Sequence, residues 1–161
     1  MIKYAKKDNF YSIFPMGEIP NDWEELTKEE YDKHFEKTID ELKSEKLSEL
    51  TSITSKFDNQ LVNTDMIIKS SLGFSINADL RSQFNIRRLI NVGVEPVSFI
   101  IADNTTVDLS LAQLNILISE CEENMQYLFD LKQSYKKQIV DSTTKEELDT
   151  IEIKFEMLDF S

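Results

Sequence analysis

The feature that most constrains this chain is a run of nine positions near its C-terminal end. Residues 111, 114, 118, 121, 125, 128, 132, 135 and 139 hold Leu, Leu, Ile, Cys, Met, Leu, Lys, Tyr and Ile. Their spacing alternates steps of three and four, the repeat that keeps one apolar seam on one side of an α-helix, and only Lys132 interrupts it. Just before the seam, Ser110 and Gln113 stand three apart, the pattern of a capping box that satisfies orphan N–H groups at a helix start. After the short loop Asp-Ser-Thr-Thr, the residues Leu148, Ile151, Phe155 and Leu158 continue a helical pattern. A loop that brief returns the chain antiparallel, so the sequence predicts a C-terminal antiparallel helical hairpin.

The N-terminal part repeats the logic at greater length. Thr27 and Glu30 form a second capping box, and Tyr31, Phe35, Ile39, Leu42, Leu47, Leu50, Ile53, Phe57 and Leu61 follow a stripe near 3.6 residues per turn. This predicts one long amphipathic helix over about 27–60. Ahead of it, IKYAKKDNFYSIFP reads as a hairpin over about 2–14, closed by Pro15 and Pro20.

The centre changes character. In TDMIIKSSLGFSIN, β-branched runs flank a turn in which Gly73 can take positive φ, which predicts a hairpin over 65–77. Asn77 is placed to cap a short helix ending at Gly93, ahead of Pro96. VSFIIADNTTVDL then reads as two strands around Asp103-Asn104. The fold class is α+β: a long N-terminal amphipathic helix, a small β-hairpin-rich centre and the helical hairpin. The division expected is 1–60 for hairpin plus long helix and 61–161 for the rest.

Charge narrows the partners. The chain carries 30 acids against 18 Lys and Arg, a net charge of -12. Affinity for nucleic acid or anionic membrane comes largely from neutralising phosphates with basic side chains, so neither is expected as a partner. The first residues, MIKYAKKDNFYSIF, lack the continuous apolar stretch of a signal peptide, and nothing approaches the length of a membrane span. The single cysteine, Cys121, forms no disulfide within the chain. These readings place the protein in a cytoplasm, or in a particle assembled there.

Catalytic and metal patterns are weak. Cys121 lies in the apolar seam, where a thiol packs as a small hydrophobe, and no histidine is near it in sequence. His34, the one histidine, has Glu30 a turn away, but two ligands fall short of a zinc set. Phosphate-cradling and nucleophile-elbow motifs are absent, and three glycines in all leave little for such loops. The expectation is a protein that is not an enzyme and needs no cofactor or metal.

The arginines stand apart. All three, Arg81, Arg87 and Arg88, fall in the eight residues RSQFNIRR, on the short central helix. Seven residues separate Arg81 from Arg88, so they share a face, while Arg87 points about 100° away from Arg88. The plainer reading pairs them with acids of the chain's own helices, because guanidinium forks bind carboxylates bidentately. The functional reading makes them a partner-binding set.

The run SLGFSINADLRSQFNIRRLI, then VSFIIADNTTVDLSLAQLNILI and KKQIVDSTTKEELDTI, resembles an uncharacterised domain at the C-terminal end of bacteriophage and prophage tail proteins, among them tail-fibre and tail-fibre-assembly-like products. The likeness covers about residues 60–158 and lies in the order of the turns, helix starts and closing Glu-Glu-Leu-x-x-Ile. The segment YSIFPMGEIPNDWEELTKEEYDKHFE also looks like the start of small tail-fibre-assembly proteins. The resemblance implies no catalytic residues, and it gives Gly73, Ala78, Asp79, Asp103, Gln113 and Leu148 structural roles. It further implies a protein partner, a phage tail-fibre component, bound by an assembly chaperone or small virion subunit in the host cytoplasm or the virion tail. Closure of the apolar seams between chains would make it a homo-oligomer. The alternative expectation is a phage-encoded inhibitor of a host enzyme or defence protein.

Overall fold

A computed structural model describes residues 2–15, 18–63 and 66–161. The chain divides into two compact units, Met1–Glu41 and Leu42–Ser161, so the boundary falls earlier than the 60/61 division read from the sequence.

In the first unit, β1 (Lys3–Lys7) and β2 (Phe10–Phe14) form the expected hairpin, turned by Asp8 at φ 52°. A strand not foreseen, β3 (Glu24–Leu26), pairs with the other edge of β1, giving the antiparallel order β2-β1-β3. Lys3, Lys6 and Lys7 reach from β1 to Glu25, Glu24 and Asp22, three exposed ion pairs that match the register. Helix α1 (Lys28–His34) opens on the Thr27–Glu30 capping box. Tyr4, Tyr11, Tyr31 and Phe35 pack ring to ring beside it.

The single long helix expected over 27–60 is instead two. α1 ends at Phe35, and α2 (Ile39–Asn63) starts afresh where Thr38 and Glu41 form another reciprocal cap. The apolar stripe runs through Phe35 and Ile39 as though nothing happened. Thr38 breaks it, because its side chain and the Glu41 carboxylate satisfy the N–H groups of a new helix start better than a continuing helix could.

In the second unit, β4 (Ile67–Lys69) and β5 (Ser75–Asn77) pair as expected, with Gly73 at φ 87° in the turn. The bond from Ala78 N–H to Met66 O extends their ladder. Helix α3 (Leu80–Val92) follows, but its cap is Asp79 rather than Asn77: the Asp79 carboxylate accepts from Ser82 N–H and Oγ–H, and Asn77 remains in the strand. Gly93 ends the helix in the left-handed region, φ 71°. A third hairpin joins β6 (Val97–Ile100) to β7 (Thr106–Leu109).

Helix α4 (Leu111–Asp141) opens on the predicted Ser110–Gln113 box and runs for 31 residues. None of its nine seam positions is exposed. Leu114, Ile118, Cys121 and Leu128 join Met66, Ile68, Ile76, Ile86 and Leu109 in the central core, so α4 is the spine against which both hairpins and α3 close.

The final helix of the expected hairpin is mostly absent. After α4 the chain turns through Thr144, which caps α5 (Lys145–Asp149), and from Ile151 onward it is extended. Lys154 exchanges bonds with the Tyr135 hydroxyl, and Leu158 N–H donates to Asn124 Oδ1 at 2.8 Å, so the strap runs antiparallel along α4. Between Tyr135 and Asn124 the helix descends about 16 Å, which four extended residues nearly span at about 13 Å and four helical ones, at about 6 Å, do not. The residues agree: Ile151, Ile153, Phe155 and Met157 turn inward, while Glu152, Lys154 and Glu156 are exposed, a period of two. The end of the strap lies beside β4, with Phe160 N–H bonded to Lys69 O and Lys69 paired with Asp159 at 2.6 Å.

Candidate functional site

Several residues with chemical potential prove to be structural. Cys121 is fully buried, and burial first, then the nearby Glu120 and Asp79 carboxylates, push its thiol up to about 12. It is a poor thiolate at neutral pH. The Glu30 carboxylate is held by Thr27 N–H and Oγ–H, which lower its pKa, and His34 stacks on Tyr11 with ring centroids 3.4 Å apart. Among the described residues no three His, Cys, Asp or Glu side chains gather as a metal site.

The positions given structural roles by the resemblance have such surroundings. Ala78 and Leu148 are buried, Asp79 and Gln113 cap helices, and Asp103 accepts from Thr105 N–H and Oγ–H, bonds that lower its carboxyl pKa.

Among the buried polar residues that escaped the sequence reading, two tie other elements to α4. Asn124 is fully buried, accepts from the strap at Leu158 and turns its amide toward the Met157 sulfur, 3.4 Å away. Glu120, also buried, accepts from Ser71 N–H and Oγ–H and so holds the β4–β5 turn on α4, while its Oε2 has no partner among the described residues. Both lie just off the seam, at positions where the helical period alone predicts a flank.

The arginines divide as helical geometry predicts. Arg87 reaches α4 and pairs with Glu122, both side chains about half exposed. Arg81 and Arg88 are exposed on the outer face of α3, and among the described residues neither has a hydrogen bond or ion pair. Two guanidinium groups thus stand unpaired on a chain with a twelve-charge acidic excess.

Phe84 lies beside them with 66% of its surface exposed, and Val92 is exposed on the same face. By helical geometry Phe84 sits about 60° round α3 from Arg81, between the arginine face and the side bearing Leu80 and Arg87. The sequence reading missed Phe84, although it stands within the arginine run. Aromatic residues and arginine are the side chains most enriched at protein interfaces, because each covers a large area and tolerates desolvation. The arrangement can hold carboxylates against an apolar surface.

No described helix is long and apolar enough to cross a membrane. No curated protein and no solved structure matches the chain significantly. Residues 41–152 match a family described as a domain of unknown function, DUF4376, a span that starts at the boundary between the two units and runs into the start of the strap. The match covers well over half of the chain, and the protein therefore belongs to the DUF4376 family.

Proposed function

We propose that the protein is a non-enzymatic bacteriophage or prophage tail-associated protein that binds a tail-fibre component, as an assembly chaperone or small virion subunit. The observation that carries the binding role is the outer face of α3, where Arg81 and Arg88 stand exposed and unpaired with Phe84 beside them. Arg87 serves a different purpose, tying α3 to α4. The order of motifs over about 60–158, which resembles tail-protein C-terminal domains, supplies the choice of partner. Net charge of -12 keeps such a binder soluble while it displays apolar side chains.

The test is capture of tail-fibre components from a host in which the phage genes are expressed, using full-length protein and the Arg81→Ala/Arg88→Ala double variant. The expected result is a tail-fibre chain retained by the first and largely lost with the second. Retention of a host enzyme, displaced by added nucleic acid, would replace this reading with that of an inhibitor mimicking nucleic-acid charge. Equal capture by both proteins would remove the two arginines from the binding role.

A further inference from the structure

The arginine face does not end at α3. Beside it a groove of about 440 Å³ runs between α3 and α4, with Leu80 and Arg87 on one wall and Glu122, Met125 and Phe129 on the other, the Glu122 carboxylate being neutralised by its pair with Arg87. Met125 and Phe129 also wall a second depression of about 190 Å³ between α4, α2 and the strap, floored by Phe57, Leu128 and Phe155. Phe129 is 56% exposed, so the two hollows flank a ridge that solvent reaches from outside.

Size and charge choose the occupant. An apolar cavity of about 150 Å³ holds a benzene ring, so the smaller hollow suits one aromatic or large aliphatic side chain. The larger one, floored in part by Gln83 and edged by Gln126, has room for a second side chain and the backbone carrying it. Helical geometry places Phe84 between this groove and the Arg81/Arg88 face, so a segment lying across Phe84 meets both. Two guanidinium groups without partners select carboxylates, and bidentate pairs formed at the edge of a partly apolar groove are stronger than pairs in open water.

We propose that this surface docks an acidic amphipathic segment of a partner protein, which seats one bulky apolar side chain on each side of the Met125–Phe129 ridge and sets carboxylates on Arg81 and Arg88. This deepens, and rests on, the reading of α3 as the partner-binding face. A segment of this kind reads as a helix-in-groove ligand with apolar anchors one to two turns apart.

The experiment selects a displayed random library of peptides about twelve residues long, enough for three helical turns, on the full-length protein. Enriched peptides are then titrated by fluorescence anisotropy. The expected winners carry net negative charge and an aromatic or large aliphatic pair. Their affinity falls about tenfold or more in Arg81→Glu/Arg88→Glu, as loss of charged hydrogen bonds requires. Peptides with the acids changed to lysine recover binding to that variant, which also shows that the variant is folded. Phe129→Ala weakens the acidic peptides without altering the thermal melt.

Failure of any peptide to enrich, winners that are neutral or basic, or an affinity indifferent to charge reversal would overturn the proposal. So would a dimer in light scattering that Arg81→Glu/Arg88→Glu dissolves, because the surface would then be occupied by a second copy. Acidic peptides that bind while no tail-fibre component is captured would leave the groove standing and remove the tail-fibre reading. Capture of a tail-fibre component undiminished by the charge reversal would do the opposite.

Discussion

At the residue scale, the chain's three arginines have two fates that stability measurements separate. Arg87→Ala removes an exposed pair with Glu122 and is expected to cost under about 1 kcal/mol in urea unfolding. Arg81→Ala and Arg88→Ala break no pair and should leave stability within about 0.5 kcal/mol of the parent, so that any loss of binding belongs to the surface itself. Asn124 behaves differently, since it is buried and its carboxamide oxygen satisfies the Leu158 N–H. Asn124→Leu strands that donor beneath the strap and is expected to destabilise by about 1 to 3 kcal/mol. A thiol reagent should find Cys121 unreactive in the native protein and label it only on unfolding, because burial holds the thiol pKa near 12. Residue-level legibility was uneven for a simple reason. The arginine cluster is visible as composition, whereas the ridge at Met125 and Phe129 exists only once α2, α3, α4 and the strap, far apart in sequence, come together.

At the element scale, local chemistry wrote most of the fold plainly. The three hairpins, Gly93 as helix end and the Ser110–Gln113 box are all where the sequence puts them. Two of the departures, the split N-terminal helix and the extended strap, come from reading one period where another signal was present. Thr38 and Glu41 repeat the Thr27–Glu30 pattern and start a second helix, and Ile-Glu-Ile-Lys-Phe-Glu-Met alternates strictly, as an extended strap must. β3 is three residues long and carries no pattern of its own, so only pairing with β1 creates it. The strap's last turn is also acid-sensitive. The Lys69 ammonium first, then the Ser161 hydroxyl and N–H, hold the Asp159 carboxyl at about 2 rather than 3.8. Because folding lowers this pKa, the contribution is full above 3.8 and is lost as pH falls through about 2. NMR resonances of Phe160 and its neighbours on β4 should move to distinct low-pH values across that window, as the exposed pair with Lys69 is lost. In Asp159→Asn the same resonances should hold those values at neutral pH.

At the scale of the whole molecule, the central core is drawn from residues after the boundary at Glu41/Leu42. A chain beginning at Thr38, which keeps the cap of α2, should therefore retain a cooperative thermal transition by circular dichroism. A broad, non-cooperative melt would show that the second unit depends on the first. The family match begins at the same place, which accords with a separable unit. The acidic excess also sets how this unit meets others. Long-range repulsion opposes the acidic partner we propose, so under that proposal recognition comes from close contacts at Arg81, Arg88 and the apolar ridge. The most direct measurement of that claim is site-specific photo-crosslinking from position 85, the exposed asparagine on the arginine face of α3, with a control at Lys145 on α5. The expected result is an adduct between the α3 site and a tail-fibre chain that is absent from the control and abolished by Arg81→Glu/Arg88→Glu. Adducts formed equally from both sites, or undiminished by the charge reversal, would contradict it.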